Sequence, residues 1–152
     1  DGAARAFAPC VRAGPCPALR DERDWCHEDR PWPPPPRLRA LAHAAGLHRL
    51  SLKFSYLTLR IAAGSQVEPS RAPVASSWRV VSEPLPTKGK HEVFLCGEAD
   101  RYRARLLSRN RTETNRALES LVRGDLALLG GAPAPVAGSR LEILTDTTVD
   151  RA

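Results

Sequence analysis

No run in this sequence approaches the 18 or more apolar residues that a bilayer-spanning helix needs, so no membrane partner is expected. Residues 1–7 lack the apolar h-region of a secretory signal, and nothing points to a secreted partner. Methionine is absent throughout the 152 residues, the first position included, which points to a fragment or processed product with a domain missing upstream. There is no nucleophile–base pair, no metalloprotease helix and no phosphate loop, and the acidic residues are too dispersed to name a general acid. Lysine is scarce as well. All but three of the 23 basic residues are arginine, the exceptions being Lys53, Lys88 and Lys90.

What is present is positive charge, proline and a small set of cysteines. The formal net charge is +6. Arginine offers a planar fork that suits phosphate oxygens, which makes RNA or DNA a plausible partner. The 14 prolines cluster early, and 42% hydrophobic residues allow only a modest core. Residues 1–36 are irregular and cannot fold by burial alone, so a metal staple is the candidate source of their order.

Periodicity then divides the chain. The four prolines at 33–36 lead into a short helix at 37–45, where Leu38, Leu41, Ala42 and Ala45 share one face and Gly46 caps the end. Residues 52–59 read as a strand and 62–77 as a loop. Strands follow at 78–81, 91–96 and 101–106, with a hairpin turn at 97–100. In the last strand Arg101, Arg103 and Arg105 face one way and Tyr102, Ala104 and Leu106 the other. A helix is predicted at 113–122, with Ala117, Leu118, Leu121 and Val122 as its apolar stripe. A closing strand follows at 124–129. The predicted fold is α+β: an irregular Cys-rich arm (1–36), a connector of helix, strand and loop (37–72), a small antiparallel OB-like β-barrel (73–129) and a flexible tail (130–152).

The four cysteines carry the sharpest signal. Cys10, Cys16 and Cys26 are separated by five and nine residues, and a gap of 69 residues then leads to Cys96. Without a secretory signal, clustered cysteines bind metal more often than they form disulfides. Prolines and glycines beside the first three make tight turns that let thiolates converge. Cys96 ends a strand and would tie the arm to the barrel. Zinc knuckles usually show closely spaced Cys pairs, and none occurs here, but spacing leaves an iron–sulfur cluster and a tetrahedral zinc site equally open. His27 adjoins Cys26; adjacent residues rarely face one metal, so it reads as exposed or hydrogen-bonded.

Ala8-Pro9-Cys10, Gly14-Pro15-Cys16-Pro17 and Asp24-Trp25-Cys26-His27 resemble the cysteine signature of the methyltransferase-like proteins of the small ribosomal subunit, the mitochondrial assembly factors and their bacterial relatives. The resemblance continues through Lys53-Phe54-Ser55-Tyr56-Leu57 and the stretch Lys88-Gly89-Lys90-His91-Glu92-Val93-Phe94-Leu95-Cys96, and ends near Arg123-Gly124-Asp125-Leu126. It implies a [4Fe–4S] cluster on Cys10, Cys16, Cys26 and Cys96, and a role in small-subunit assembly or translation close to rRNA. It also implies a bacterial-like cytoplasmic location or, alternatively, the mitochondrial matrix. Two departures stand out. No Gly-rich loop or βαβ series is present to bind S-adenosylmethionine, so the chain reads as the C-terminal portion of such a protein. Glu28 stands where relatives often carry an aromatic. The alternatives are part of an rRNA methyltransferase whose catalytic domain lies elsewhere, and a zinc-stabilised nucleic-acid-binding protein. The expected RNA-binding residues are Arg101, Arg103, Arg105, Arg109 and Arg111, an arginine-lined strand with its continuation. Arg123-Gly124-Asp125 matches an integrin-binding tripeptide by chance.

Overall fold

The computed structural model describes residues 4–12, 14–47, 51–61, 77–131, 135–136 and 140–152. Its centre is a hairpin of two seven-residue strands, β7 (Lys90–Cys96) and β8 (Arg101–Leu107). Strict alternation sets its two faces. Val93, Leu95, Ala104 and Leu106 point into the core and are essentially inaccessible. Phe94, Cys96 and the three arginines of β8 point outward, as the sequence predicts. The 97–100 turn is closed by Gly97 N donating to Asp100 O at 2.9 Å. A Cβ at Gly97 would fall 2.6 Å from the Trp78 ring, so only glycine lets the turn lie against that side chain.

Six further strands complete this sheet. They are β5 (Ser77–Val80), β6 (Leu85–Thr87), β9 (Leu126–Gly130), β10 (Pro135–Val136), β11 (Arg140–Ile143) and β12 (Thr148–Arg151). The order is β10-β11-β8-β7-β5-β9-β12, with β6 also on β7. The sheet curls into a half-barrel around one apolar cluster, to which β5, β7, β8, β9, β11 and β12 all contribute. This bears out a small β-rich α+β domain. The sheet is not wholly antiparallel, however: β11 runs parallel to β8, because the chain crosses from β8 through β9 before returning to its edge.

The predicted helix at 113–122 is a single 3-10 turn, Arg116–Ser120. Leu118 and Leu121 of the expected stripe are buried, whereas Val122 is exposed. Local polar bonds win over helix propagation here. The buried Asn115 side chain accepts from Thr112 N and donates to Asn110 O and Leu144 O, and Asp125 Oδ2 accepts from Val122 N. The segment expected to be a flexible tail is corrected too. β11 and β12 belong to the sheet, and Leu141, Ile143 and Val149 are core residues.

The arm and connector form two small ribbons. β1 (Ala4–Ala8) pairs with β4 (Thr58–Ile61), and β2 (Glu28–Pro31) pairs with β3 (Ser51–Phe54). The single strand expected at 52–59 is therefore two strands, broken at 55–57, each given to a different arm segment. The predicted helix is present as α1 (Pro36–Ala44), and Gly46 takes the positive φ of a helix cap. None of its residues is buried. The loop expected at 62–77 lies almost wholly outside the described residues. Among the described residues no helix is long and apolar enough to cross a membrane.

Candidate metal centre

The arm lies against the Cys96 and Arg101 end of the outer face of β7 and β8. Cys96 is the last residue of β7, beside Arg79 of β5 and Arg101 of β8 in the ladder. Cys16 precedes the 3-10 turn Pro17–Arg20 and accepts from Leu19 N through its carbonyl at 3.1 Å. Cys26 sits just before β2, where its carbonyl accepts from Ser55 Oγ at 2.6 Å. Cys16, Cys26 and Cys96 line one cavity of about 240 Å³, walled by Phe94, Val81, Trp25, His27, Arg101 and Arg123.

Cys10 is not part of that wall, but it stands near enough to raise the Cys26 and Cys96 thiols. Burial pushes the Cys96 thiol up to about 11, and Cys10, Cys16 and Cys26 then add to the shift as neighbouring negative charges. Burial also raises Cys26, followed by repulsion from Cys16 and Cys10. Cys10 is raised by burial and then by Cys16. Cys16, Cys26 and Cys96 thus share one cavity with Cys10 near enough to raise Cys26 and Cys96, and charging these thiols together needs a compensating cation. All are free thiols. Among the described residues, no group of three or more His, Cys, Asp or Glu side chains is gathered to hold a single metal ion.

His27 Nδ1 bonds the Trp25 carbonyl at 3.0 Å and its ring stacks on Trp25, as a hydrogen-bonded histidine should. Its Nε2 is buried without a partner.

Polar clasps hold the arm down. Arg101 pairs with Asp24, and that hydrogen bond holds the Asp24 carboxyl below the usual carboxylate range. Arg20 pairs with Asp100 at 2.7 Å, and Arg12 Nη1 donates to Ala99 O at 3.3 Å. Arg123 Nη1 donates to both His27 O at 2.9 Å and Val81 O at 2.6 Å, which makes it a bridge from the arm to the barrel. Glu28, 6% exposed, accepts from Arg79 at 2.7 Å, and Arg79 also donates to Tyr56 Oη at 3.1 Å.

Three of the five arginines expected to bind RNA are spent inside the molecule. Arg101 serves Asp24, Arg105 makes a two-pronged bond to Glu142 (2.6 and 3.1 Å), and Arg111 pairs with Glu119 at 2.7 Å. Arg103 lies over the Phe94 ring, 5.1 Å from its centroid. Arg109 is exposed on the 3-10 turn Ser108–Asn110.

A family model described as mitochondrial small ribosomal subunit Rsm22 matches residues 2–127. The chain belongs to the Rsm22 family. No curated protein and no solved structure gives a significant match. The Rsm22 match takes in all four cysteines and ends within β9, so β11 and β12 lie beyond it. The family description is mitochondrial, which fits the matrix alternative better than the bacterial-like cytoplasm.

Sequence reasoning missed the clasps. Asp24 and Glu28 are acidic residues in a basic chain, and Arg123 belongs to the tripeptide set aside as chance. The two acidic residues signalled only a charge of the wrong sign for a nucleic-acid surface and a place beside Cys26, and nothing local ties Arg123 to them.

Proposed function

We propose that this Rsm22-family chain is an iron–sulfur-stabilised module that acts on the small ribosomal subunit in the mitochondrial matrix and contacts its rRNA. One observation carries the reading: Cys16 and Cys26 of the arm and Cys96 at a strand end line one cavity, and Cys10 is near enough to raise the Cys26 and Cys96 thiols. Such a set is unfavourable as free thiolates and suited to a multinuclear iron centre. Cys10, Cys16, Cys26 and Cys96 would hold a [4Fe–4S] cluster, which supplies iron–thiolate bonds and with them folding free energy. The chain's own residues do the rest. Arg101 and Arg123 line the cavity and offset negative charge, Phe94 and Val81 close it on the sheet side, and Trp25 stands between it and water.

In this reading the centre fixes a surface and performs no reaction. The arm is mostly exposed and makes few core contacts, so its order depends on the centre and on the clasps. Replacing Cys16 by Ser should therefore open residues 9–27 to protease while leaving the barrel resistant. The same variant should lose co-sedimentation with the mitochondrial small subunit, which the parent chain retains. A variant that resists cleavage like the parent and still binds the subunit would contradict the proposal.

A further inference from the structure

Beside the thiol cavity lies a second hollow, about 430 Å³, between the turn Pro17–Arg20 and the outer face of β7, β8 and β11. Phe94 and Arg101 form part of both walls. Four arginines line the hollow: Arg20, Arg101, Arg103 and Arg140. The first two have carboxylate partners in Asp100 and Asp24. Among the described residues Arg103 and Arg140 have none.

These two are direct neighbours across the parallel β8–β11 pair. They share a face, because Ala104 and Leu141, the next residues along each strand, both point into the core. Two residues further on, the same register places Arg105 opposite Glu142, and there the sheet makes a two-pronged ion pair. One step thus carries the usual opposite-charge solution and the other sets like charges face to face, an arrangement that destabilises a sheet unless an anion lies between them. Arg103 is also held in place, its guanidinium stacked on Phe94.

We propose that Arg103 and Arg140 grip a backbone phosphate of an RNA strand that crosses this hollow. The inference rests on the rRNA-contact reading and deepens it. The contact moves from internally paired arginines to a like-charge pair that includes Arg140, a residue beyond the matched family region. Neighbouring strands stand about 4.8 Å apart, so two guanidinium forks reach oxygens of one phosphodiester. Arg20 and Arg101, though paired, add positive field at the sides.

The test uses the metal-loaded full chain and a labelled single-stranded oligoribonucleotide, with binding followed by anisotropy across a potassium chloride series. The double variant Arg103→Gln/Arg140→Gln should bind about tenfold or more weakly, and the slope of log affinity against log salt should fall by about 0.7 for each arginine removed. Arg116→Gln, at an exposed i,i+3 pair with Glu113, should bind like the parent. The melting temperature of Arg140→Gln should be unchanged or higher, since a like-charge contact is relieved; a lower one would show a structural role and overturn the proposal. An unchanged slope in the double variant would overturn the phosphate grip and leave the rRNA-contact reading standing. A parent chain that binds no RNA would remove both. A parent chain that binds polyglutamate more tightly than the oligoribonucleotide at equal ionic strength would assign the hollow to an acidic peptide, also against the proposal.

Discussion

Asp24 and Arg101 show how one residue pair serves the arm and the barrel at once. Asp24 sits two residues before Cys26, and Arg101 follows Cys96 across the hairpin turn, so their ion pair brings two of the four thiol-bearing segments together. The Asp24 carboxyl is held below the ordinary carboxylate range. Its contribution is fully present above the unfolded pKa and is lost as pH falls through the folded one. Metal-free protein should therefore melt higher than its Asp24→Asn variant near neutral pH. The difference should close as pH drops below the usual aspartate range. A gap that persists at low pH would show that the pair does not hold the arm. At the other end of the arm Glu28 accepts from Arg79 of the barrel, which also donates to Tyr56 of the connector.

Among the secondary-structure elements, the β7–β8 hairpin and α1 were legible from sequence for the same reason: local periodicity alone defines them. Strict alternation in 101–106 leaves one choice of face, and Gly46 ends the helix whatever surrounds it. Elements that depend on distant partners were not legible. The stretch 51–61 is continuous in β-propensity, yet β3 and β4 are separated because each pairs with a different part of the arm. The last strands were hidden by the Gly-Gly and Ala-Pro composition before them. Their own alternation is only two core residues long in β11 and one in β12, too short to stand out. The cysteine set was read from spacing and neighbours, but the clasps that position it were not, since ion pairs between segments some 80 residues apart leave no local pattern. Leu141 tests this scale. It is fully buried between strands, so Leu141→Ala should cost about 3 kcal/mol and lower the melting temperature by roughly 10 °C. A true flexible tail would show no change on chemical denaturation or heating.

The whole molecule is a half-barrel with one conventional core and one unconventional face. Inside, aliphatic side chains from six strands exclude water. Outside, a proline-broken arm lies against the sheet and contributes almost nothing to that core; of its described residues only Pro17, Ala18 and Glu28 are buried. Such an arm is held by ion pairs that are individually weak and by whatever its thiols bind. The central claim is that they bind one iron–sulfur cluster together. Its most direct test is iron, acid-labile sulfide and zinc content with visible absorption, measured on anaerobically purified protein and on each Cys→Ser variant. The account predicts a brown protein with iron and sulfide in cubane stoichiometry per chain, diminished by substitution at Cys10, Cys16, Cys26 or Cys96 alike. A colourless protein carrying stoichiometric zinc, or no metal and four freely titrating thiols, would contradict it.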